Sequence, residues 1–212
     1  PDSYTYNALI SACERAGEYE RAFDTYDEIR RAIEPRSNVV THHEKGRNVR
    51  PTARELWPNV FTYRTVISAC IKGGQLARAF RVRECMQRAG VKPDILMLST
   101  LISAFANAGR LDLALDVYYN DMPEHDLRPN VVTYNTLINK HQESGQLHRA
   151  NALLEGMRAS GVRPDVVTYS SLIDGLSRSL RHRQAERLWS QMRELGIQPD
   201  AVTYNIVVQM YC

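Results

Sequence analysis

Residues 131–165 read VVTYNTLINKHQESGQLHRANALLEGMRASGVRPD, and the architecture of the chain follows from this stretch. In its first half, apolar side chains from Val131 to Ile138 recur with the i, i+3, i+4, i+7 spacing of one helical face. Gly145 follows at the place where a helix needs a left-handed cap. A second stripe of the same period begins at Leu147 and ends before a glycine and a proline. The stretch therefore predicts a helical hairpin.

Four other segments are copies of this one, and the prolines at the unit boundaries set their spacing. Successive prolines lie 35, 36, 35 and 35 residues apart, at Pro58, Pro93, Pro129, Pro164 and Pro199. A single hairpin of this length cannot bury its apolar stripes, so the copies must stack and share a core. We therefore expect an all-α protein, an α-solenoid of stacked helix-turn-helix repeats.

The repeat pattern divides the 212 residues into one array that an insertion interrupts. The expected boundaries are repeat 1 at 1–35, the insertion at 36–57, repeat 2 at 58–94, repeat 3 at 95–130, repeat 4 at 131–165, repeat 5 at 166–200, and the first helix of a truncated repeat 6 at 201–212. The chain begins without a methionine and stops inside a first-helix pattern. We therefore expect it to be a fragment.

Two positions of the repeat indicate packing rather than chemistry. One is a small residue early in each second helix, and the other holds both cysteines of the first two repeats. The first set is Ala22, Ala79, Ala114, Ala150 and Ala185, and the second is Cys13, Cys70, Phe105, His141 and Leu176. We expect close helix contacts at the alanines and a packed core position with reduced thiols at the cysteines. Leu180 replaces the turn glycine of repeat 5, so we expect that turn to be built differently.

Composition and motifs exclude several classes of function. The chain is 43% hydrophobic, but it has no apolar run near the ~18 residues that a membrane helix requires. Its 27 Lys and Arg against 24 Asp and Glu give a net charge of +3, which is modest for a nucleic-acid binder. No catalytic constellation or phosphate loop is present, and the best metal candidate is the triplet His42-His43-Glu44. We expect no cofactor, no metal and no enzymatic activity in this stretch, so that any catalytic domain would lie outside it.

The unit of ~35 residues, the opening Val-Thr-Tyr-Asn at residues 132–135, the Ser-Gly turn and the closing Pro-Asp resemble the simple type of pentatricopeptide repeat. Tetratricopeptide repeats share the hairpin, but they have 34 residues and a different first-helix signature. The resemblance implies a right-handed superhelix that binds single-stranded RNA, one base per repeat. It also implies a mitochondrial or chloroplast adaptor that acts on transcript stability, processing or translation.

The resemblance assigns base-reading residues to two places in each repeat. One follows the first-helix tyrosine, or Leu98 in repeat 3 where leucine replaces it, and the other follows the closing proline. The helix readers are Asn7, Arg64, Ser99, Asn135, Ser170 and Asn205, and their partners are Asp94, Asn130, Asp165 and Asp200, with Asn59 or Arg36 for the first repeat. Short polar groups at these places can contact a base edge. Ordinary helix capping is the alternative interpretation of the residue after the proline.

Two further sets of residues are candidates for RNA contact. The first lies one turn before each reader, where the resemblance implies a sandwich around the base: Tyr4, Phe61, Leu96, Val132, Val167 and Val202. Burial between repeats is the alternative for the valines. The second set lies near the ends of first helices, where a phosphate would pass, and consists of Arg15, Lys72 and Arg178. A solvated helix end explains the second set equally well.

The pairing rules that the resemblance implies give a base to each typical pair. They assign uracil to Asn135 with Asp165, adenine to Ser99 with Asn130, and guanine to Ser170 with Asp200. Arg64 has no rule, and its length allows it to pair with Asp94 and silence the repeat. Asn7 and Asn205 imply pyrimidines, so the expected run is pyrimidine, any base, A, U, G, pyrimidine.

The insertion at 36–57 contains five basic and two acidic residues. Thr52 and Glu55 form a capping-box pattern after Pro51, so we expect a surface excursion with one short helical turn near Thr52. Its basic groups either contact RNA phosphates or dock a protein partner. A structural or scaffold subunit of a larger ribonucleoprotein or protein assembly is therefore the alternative function.

Overall fold

The computed structural model describes residues 3–33 and 58–211, and all regular secondary structure within these ranges is helical. The chain forms two compact units, Pro1–Met97 and Leu98–Cys212. The predictions for the insertion at 36–57, including Arg36, the His42-His43-Glu44 triplet and the helical turn near Thr52, lie outside the described residues.

Helices follow one another in pairs along the chain. Their bounds are α1 Ser3–Ala16, α2 Tyr19–Ile33, α3 Val60–Lys72, α4 Leu76–Arg88, α5 Ile95–Asn107, α6 Leu111–Asp116, α7 Met122–Glu124, α8 Val131–Glu143, α9 Leu147–Ala159, α10 Val166–Arg178, α11 His182–Glu194 and α12 Ala201–Tyr211. A π-helical stretch, Val117–Asp121, joins α6 to α7. The odd-numbered helices up to α5, and then α8, α10 and α12, are the first helices of the repeats.

In the first unit, α1 packs against α2, α3 packs against α4, and α3 also contacts both α1 and α2. Tyr26 of α2 meets Tyr63 of α3 edge to face, with ring centroids 5.9 Å apart. Glu14 of α1 accepts hydrogen bonds from Ser68 at 2.6 Å and from Lys72 at 2.9 Å. Aromatic packing inside and polar contacts outside therefore join the first two repeats.

In the second unit, α8 pairs with α9 and α10 with α11, while α10 also packs against α8, α9 and α12. Its core cluster consists of Leu147, Tyr169, Ile173, Leu176, Ala185, Met192, Val207 and Met210. Helix α10 comes especially close to α8 at Gly175, where an added Cβ would lie 2.2 Å from Cγ of Gln142. A stacked core, shared between consecutive hairpins, thus holds this unit together.

Both packing positions predicted from the repeat are buried in every copy. The five alanines, Ala22, Ala79, Ala114, Ala150 and Ala185, have no exposed surface, and the second set, Cys13, Cys70, Phe105, His141 and Leu176, is at most 5% exposed. Burial raises the pKa of the Cys70 thiol to about 11, so this thiol stays protonated at neutral pH. The prediction of a packed core position at these residues is confirmed.

The turn at Leu180 has the same geometry as the glycine turns, so the expectation of a different turn was wrong. Leu180 adopts a left-handed φ of +57°, close to the +71° of Gly145. Its N–H donates to the Ser177 carbonyl at 2.9 Å, as the Gly145 N–H donates to the Gln142 carbonyl at 3.0 Å. The unsatisfied carbonyls of the helix end require this cap, and the leucine accepts a strain of roughly 1–2 kcal/mol to form it.

The π-helical stretch accounts for the 36-residue spacing of repeat 3. The left-handed residue Asp126 lies 15 positions after Leu111, whereas the equivalent Gly161 lies 14 positions after Leu147. The wider i to i+5 turn of a π-helix accommodates one additional residue without breaking the helix. The second helix of repeat 3 therefore runs without a gap from Leu111 to Glu124 and contains one residue more than its counterparts.

Candidate nucleic-acid interface

The residue after each closing proline caps the next first helix. Asn59, Asn130 and Asp165 accept the backbone N–H three residues ahead through one side-chain oxygen, at 2.9 to 3.0 Å. Asp94 and Asp200 do the same at 2.8 Å. The capping interpretation is thus correct for these residues. It leaves the second atom of each carboxylate or amide for other contacts.

Asn135 and Asp165 are brought together across the junction of repeats 4 and 5. Nδ2 of Asn135 donates to Oδ1 of Asp165 at 3.0 Å, while Oδ1 of Asn135 accepts the hydroxyl hydrogen of Thr168 at 2.6 Å. Both partners of Asn135 therefore hold its amide in one orientation. Both polar atoms of the Asn135 side chain thus have a hydrogen-bond partner within the chain.

Arg64 and Asp94 are also joined, in the first unit. The guanidinium donates from Nη1 to Oδ2 of Asp94 at 3.0 Å, and its carbon lies 5.4 Å from the centre of the Phe61 ring. The ion pair with Asp94 that the sequence allowed for Arg64 is therefore present. A planar cation therefore lies over the Phe61 ring and is paired with Asp94.

The remaining helix readers make other contacts. Thr62 donates to Oδ1 of Asn7 at 2.6 Å, and the Ser99 hydroxyl lies 3.0 Å from that of Thr133. The Ser170 hydroxyl instead donates back to the Val166 carbonyl at 2.8 Å, so its hydrogen is not directed at Asp200. Asn205 is exposed on α12.

The six predicted stacking side chains lie at the surface. Their exposed fractions range from 41% to 82%, for Tyr4, Phe61, Leu96, Val132, Val167 and Val202. Burial between repeats therefore does not describe the valines. Each repeat thus exposes an apolar side chain one helical turn before its polar reader. Solvent-facing positions of a helix are usually polar, so this arrangement is unusual.

The three phosphate candidates are less available than the sequence indicated. The Lys72 ammonium lies 2.9 Å from Glu14, and Arg178 pairs with Asp174 one turn earlier on its own helix. Arg15 donates to the Ser11 carbonyl at 3.3 Å and is exposed. Two of the three charges are thus neutralised locally, which agrees with the near-balanced charge of the chain.

Hydrogen bonds lower the pKa values of two capping aspartates, Asp165 and Asp200. Burial raises the pKa of Asp165, but hydrogen bonds from the Thr168 backbone, from Asn135 and from the Thr168 hydroxyl together hold it below its ordinary value. Side-chain and backbone hydrogen bonds from Thr203 likewise lower the pKa of Asp200. Both groups are carboxylates at neutral pH and accept hydrogen bonds without donating any.

Sequence reasoning missed the threonine at the third position of these helices. Thr62, Thr133, Thr168 and Thr203 are all buried and lie against the capping residue, and the first three also contact a helix reader of the preceding repeat. The signal was present in the repeated Val-Thr-Tyr motif and in the capping-box spacing Asn-x-x-Thr of residues 59–62. In repeat 3 a buried methionine, Met97, takes this place.

In residues 3–33 and 58–211, no group of three or more His, Cys, Asp or Glu side chains is arranged to hold a metal ion. Within the same ranges no helix combines the length and apolar character needed to cross a bilayer.

Models of one repeat family match almost the whole chain. Residues 4–32 match the PPR repeat, residues 51–107 and 81–143 match the pentatricopeptide repeat domain, and residues 129–178 and 171–212 match the PPR repeat family. The chain belongs to the pentatricopeptide repeat family. The resemblance seen in the repeated motif is therefore confirmed.

Named relatives come from plants. A pentatricopeptide repeat-containing protein of Arabidopsis thaliana is 25% identical over 74% of this chain and 31% of its own length. Two others, named mitochondrial and chloroplastic, are each 28% identical over 76% of this chain and cover 36% and 22% of their own lengths. The chain thus spans only about a third or less of the length of these relatives.

Solved structures of the family share the fold. The maize pentatricopeptide repeat protein PPR10 in complex with an 18-nt psaJ RNA element aligns over all of this chain and 28% of its own, with a TM-score of 0.64 and 24% identity. The PPR domain of Arabidopsis thaliana protein-only RNase P 1, in complex with tRNA, aligns over 96% of this chain and 95% of its own, with a TM-score of 0.75 and 16% identity. These likenesses confirm the all-α helical-repeat class.

Proposed function

We propose that this chain binds single-stranded RNA, reads it one base per repeat, and acts as an adaptor on organellar transcripts in their stabilisation, processing or translation. One observation carries the proposal. In repeat after repeat, an exposed apolar side chain stands one helical turn before a polar reader. At four junctions that reader is hydrogen-bonded, directly or through a threonine, to the cap of the next first helix.

The exposed apolar side chains suit nucleobases. Val132 and Val167 stand one turn before the readers of consecutive repeats, so a flat ring that enters beside Asn135 meets branched apolar groups. Base stacking on an aromatic side chain is worth about 1–3 kcal/mol and tolerates any base, because every base has a π face. Tyr4 and Phe61 provide such rings in the first unit. Affinity would come from this set and discrimination from the polar readers.

The caps determine which hydrogen-bonding atom meets the base. One oxygen of Asp165 is used by the backbone of α10, so its Oδ2 is left as an acceptor, which matches the imino N–H of uracil or guanine. The equivalent oxygen of Asn130 is used by α8, so its Nδ2 is left as a donor, which matches the ring nitrogen of adenine or cytosine. This chemistry supports uracil at Asn135 with Asp165 and adenine at Ser99 with Asn130.

The helix readers then separate large bases from small ones. Asn135 extends toward its partner and leaves room for a pyrimidine, whereas a serine is shorter. The Ser170 hydroxyl returns to its own helix backbone, which leaves the space toward Asp200 for a purine. Since Asp200 accepts hydrogen bonds, this space suits guanine.

The relatives support the class of ligand and the compartment. PPR10 and the PPR domain of protein-only RNase P 1 were solved with RNA and tRNA respectively, and the fold of both is shared by this chain. Relatives named mitochondrial and chloroplastic support an organellar location. Protein-only RNase P 1 matches this chain through its PPR domain, so the proposal assigns this chain binding and no reaction.

The test is direct binding of labelled RNA to the whole chain. Fluorescence anisotropy with a single-stranded RNA that carries the expected run, in both polarities, should give binding that a duplex of the same sequence does not. The double substitution Val132→Asp and Val167→Asp should weaken binding at least tenfold. Leu195→Asp, at a comparably exposed residue outside the reading positions, is the matched control and should leave affinity unchanged. Equal binding to the duplex would overturn the proposal.

A scaffold subunit remains the second candidate because much of the positive charge is already paired. Arg64, Lys72 and Arg178 all hold acidic partners within the chain. Replacing the five basic residues of the insertion by glutamine separates the two functions. If they bind RNA phosphates, the slope of log affinity against log salt should flatten by about 0.7 for each phosphate that is no longer bound. If they dock a protein, that slope stays the same and the chain no longer associates with the native complex.

A further inference from the structure

We propose that the buried threonine at the third position of a first helix is a positioning residue for the reader of the preceding repeat. It fixes which end of the reader faces the base. The proposal rests on the proposed function, since it concerns how the same reading site obtains its specificity. It adds a third, buried residue to the two-residue reading site at three junctions, those of Thr62, Thr133 and Thr168.

The hydroxyl of this threonine has a defined direction. In repeat 5 it accepts the backbone N–H of Asp165 at 3.1 Å, as the capping box requires. Its single hydrogen then goes to Oδ1 of Asn135 at 2.6 Å, which is closer than Oδ1 of Asp165 at 2.9 Å. Thr62 repeats this arrangement, with the Asn59 N–H at 3.2 Å and Oδ1 of Asn7 at 2.6 Å. The capping box thus turns the hydroxyl hydrogen toward the reader.

This hydrogen selects one of the two amide orientations of Asn135. With Oδ1 toward Thr168, the Nδ2 group faces the carboxylate of Asp165 and donates to it at 3.0 Å. The flipped amide would set its oxygen against a carboxylate, where neither group has a hydrogen to share. The donor and acceptor that remain for a base are therefore fixed before the RNA arrives. Such preorganisation increases discrimination between bases, because the Asn135 amide cannot flip to form hydrogen bonds with the wrong base.

Thr168 cannot read the base itself, because its side chain is completely buried. Its effect on RNA must pass through Asn135. Thr133 is also fully buried, and its hydroxyl lies 3.0 Å from that of Ser99, so its effect on RNA must pass through Ser99. Both threonines would therefore affect specificity by holding a reader in place and not by contacting RNA.

Two junctions of the chain serve as internal controls. Where Met97 replaces the threonine, the reader is Arg64, whose symmetrical donors need no orientation and which holds Asp94 by charge. At Thr203 the hydroxyl donates to Oδ1 of Asp200 at 2.6 Å, while Ser170 turns to its own backbone. The hydroxyl hydrogen of Thr203 thus serves the cap of its own helix and is not given to the reader. The threonine therefore has two separable roles, capping and positioning.

The experiment compares Thr168→Val with Thr203→Val in the whole chain. Valine has the shape of threonine but no hydroxyl. Anisotropy titrations use four RNAs that differ only in the base facing repeat 4, and four that differ only in the base facing repeat 5. Thr168→Val should reduce the preference of repeat 4 for uracil by about fivefold, the factor that a neutral hydrogen bond of about 1 kcal/mol represents. Thr168→Ser should restore it.

Thr203→Val should lower the melting temperature about as much as Thr168→Val does, because both lose a capping hydroxyl. It should leave the base preference of repeat 5 unchanged. Full uracil preference in folded Thr168→Val protein would overturn the proposal, as would an equal loss of preference in Thr203→Val. If the parent chain itself shows no base preference, the proposed function fails instead. NMR of the free protein then still tests the positioning role. Because Nδ2 of Asn135 donates to Asp165, its NH2 hydrogens should exchange with solvent more slowly in the parent than in Thr168→Val, and equal exchange rates in the two proteins would refute the positioning role.

Discussion

Arg64 and Asp94 form an ion pair at 3.0 Å, and the guanidinium lies over the Phe61 ring. If repeat 2 reads a base as proposed, its site is already filled by the chain's own side chain, and the repeat should be indifferent to the base it faces. Arg64→Asn should uncover Asp94 and create a preference for uracil at this repeat. Because Met97 provides no hydroxyl, the double variant Arg64→Asn with Met97→Thr should be more selective than the single one. Titration with RNAs varied at that base measures both, and a strong base preference in the parent would show that the site is open.

Leu180 stores strain that a glycine would remove. Its left-handed φ of +57° costs an L-residue roughly 1–2 kcal/mol, and glycine adopts this conformation freely. Leu180→Gly should therefore stabilise the protein by about 1 kcal/mol in urea unfolding. Gly145→Ala is the matched opposite change, since no atom crowds its Cβ position and only the conformation opposes it. It should destabilise by a similar amount, and a neutral result for both would contradict the strain.

Ala150 lies where two helices come too close for a larger side chain. It is fully buried in α9, so Ala150→Leu should overpack the contact and destabilise the protein by about 1–3 kcal/mol. Ala159→Leu, at an exposed alanine of the same helix, adds the same atoms without a neighbour to displace. Thermal melts of the two variants should therefore differ clearly. Identical melts would mean that the alanine is not at a close contact.

His141 gives the stability of the protein a pH dependence of known sign. Burial lowers its pKa, against a smaller opposing effect of the hydrogen bond with Gln146, so the folded protein holds it neutral. The unfolded chain binds a proton there below pH ~6.5, so stability is lost as the pH falls from ~6.5 toward the lowered folded value. His141→Leu, the residue found at this place in repeat 5 as Leu176, should remove that loss. Urea unfolding at pH 7.5 and pH 5.5 checks it, and an unchanged difference between the two pH values would contradict it.

The sequence predicted the helical hairpins and the buried alanines because each depends on a local period that recurs in every copy. It did not predict the turn at Leu180, since the demands of the helix end outweighed the conformational preference of the residue. It also missed Thr168, because a hydroxyl three residues into a helix has an ordinary capping role that hides its contact with Asn135. That contact joins residues 33 positions apart, and only the stacked repeats bring them together. The pairing of Lys72 with Glu14, 58 positions away, was invisible for the same reason.

The base preference of repeat 4 shows most directly whether the chain reads RNA through its paired side chains. The measurement is a set of anisotropy titrations of the parent and of Asn135→Ser against four RNAs that differ only at the base facing that repeat. We expect the parent to prefer uracil and Asn135→Ser to shift the preference toward guanine by about 1–2 kcal/mol, with Asp165 still accepting the imino hydrogen. An RNA-binding parent whose preference is the same before and after the substitution would contradict this reading mechanism.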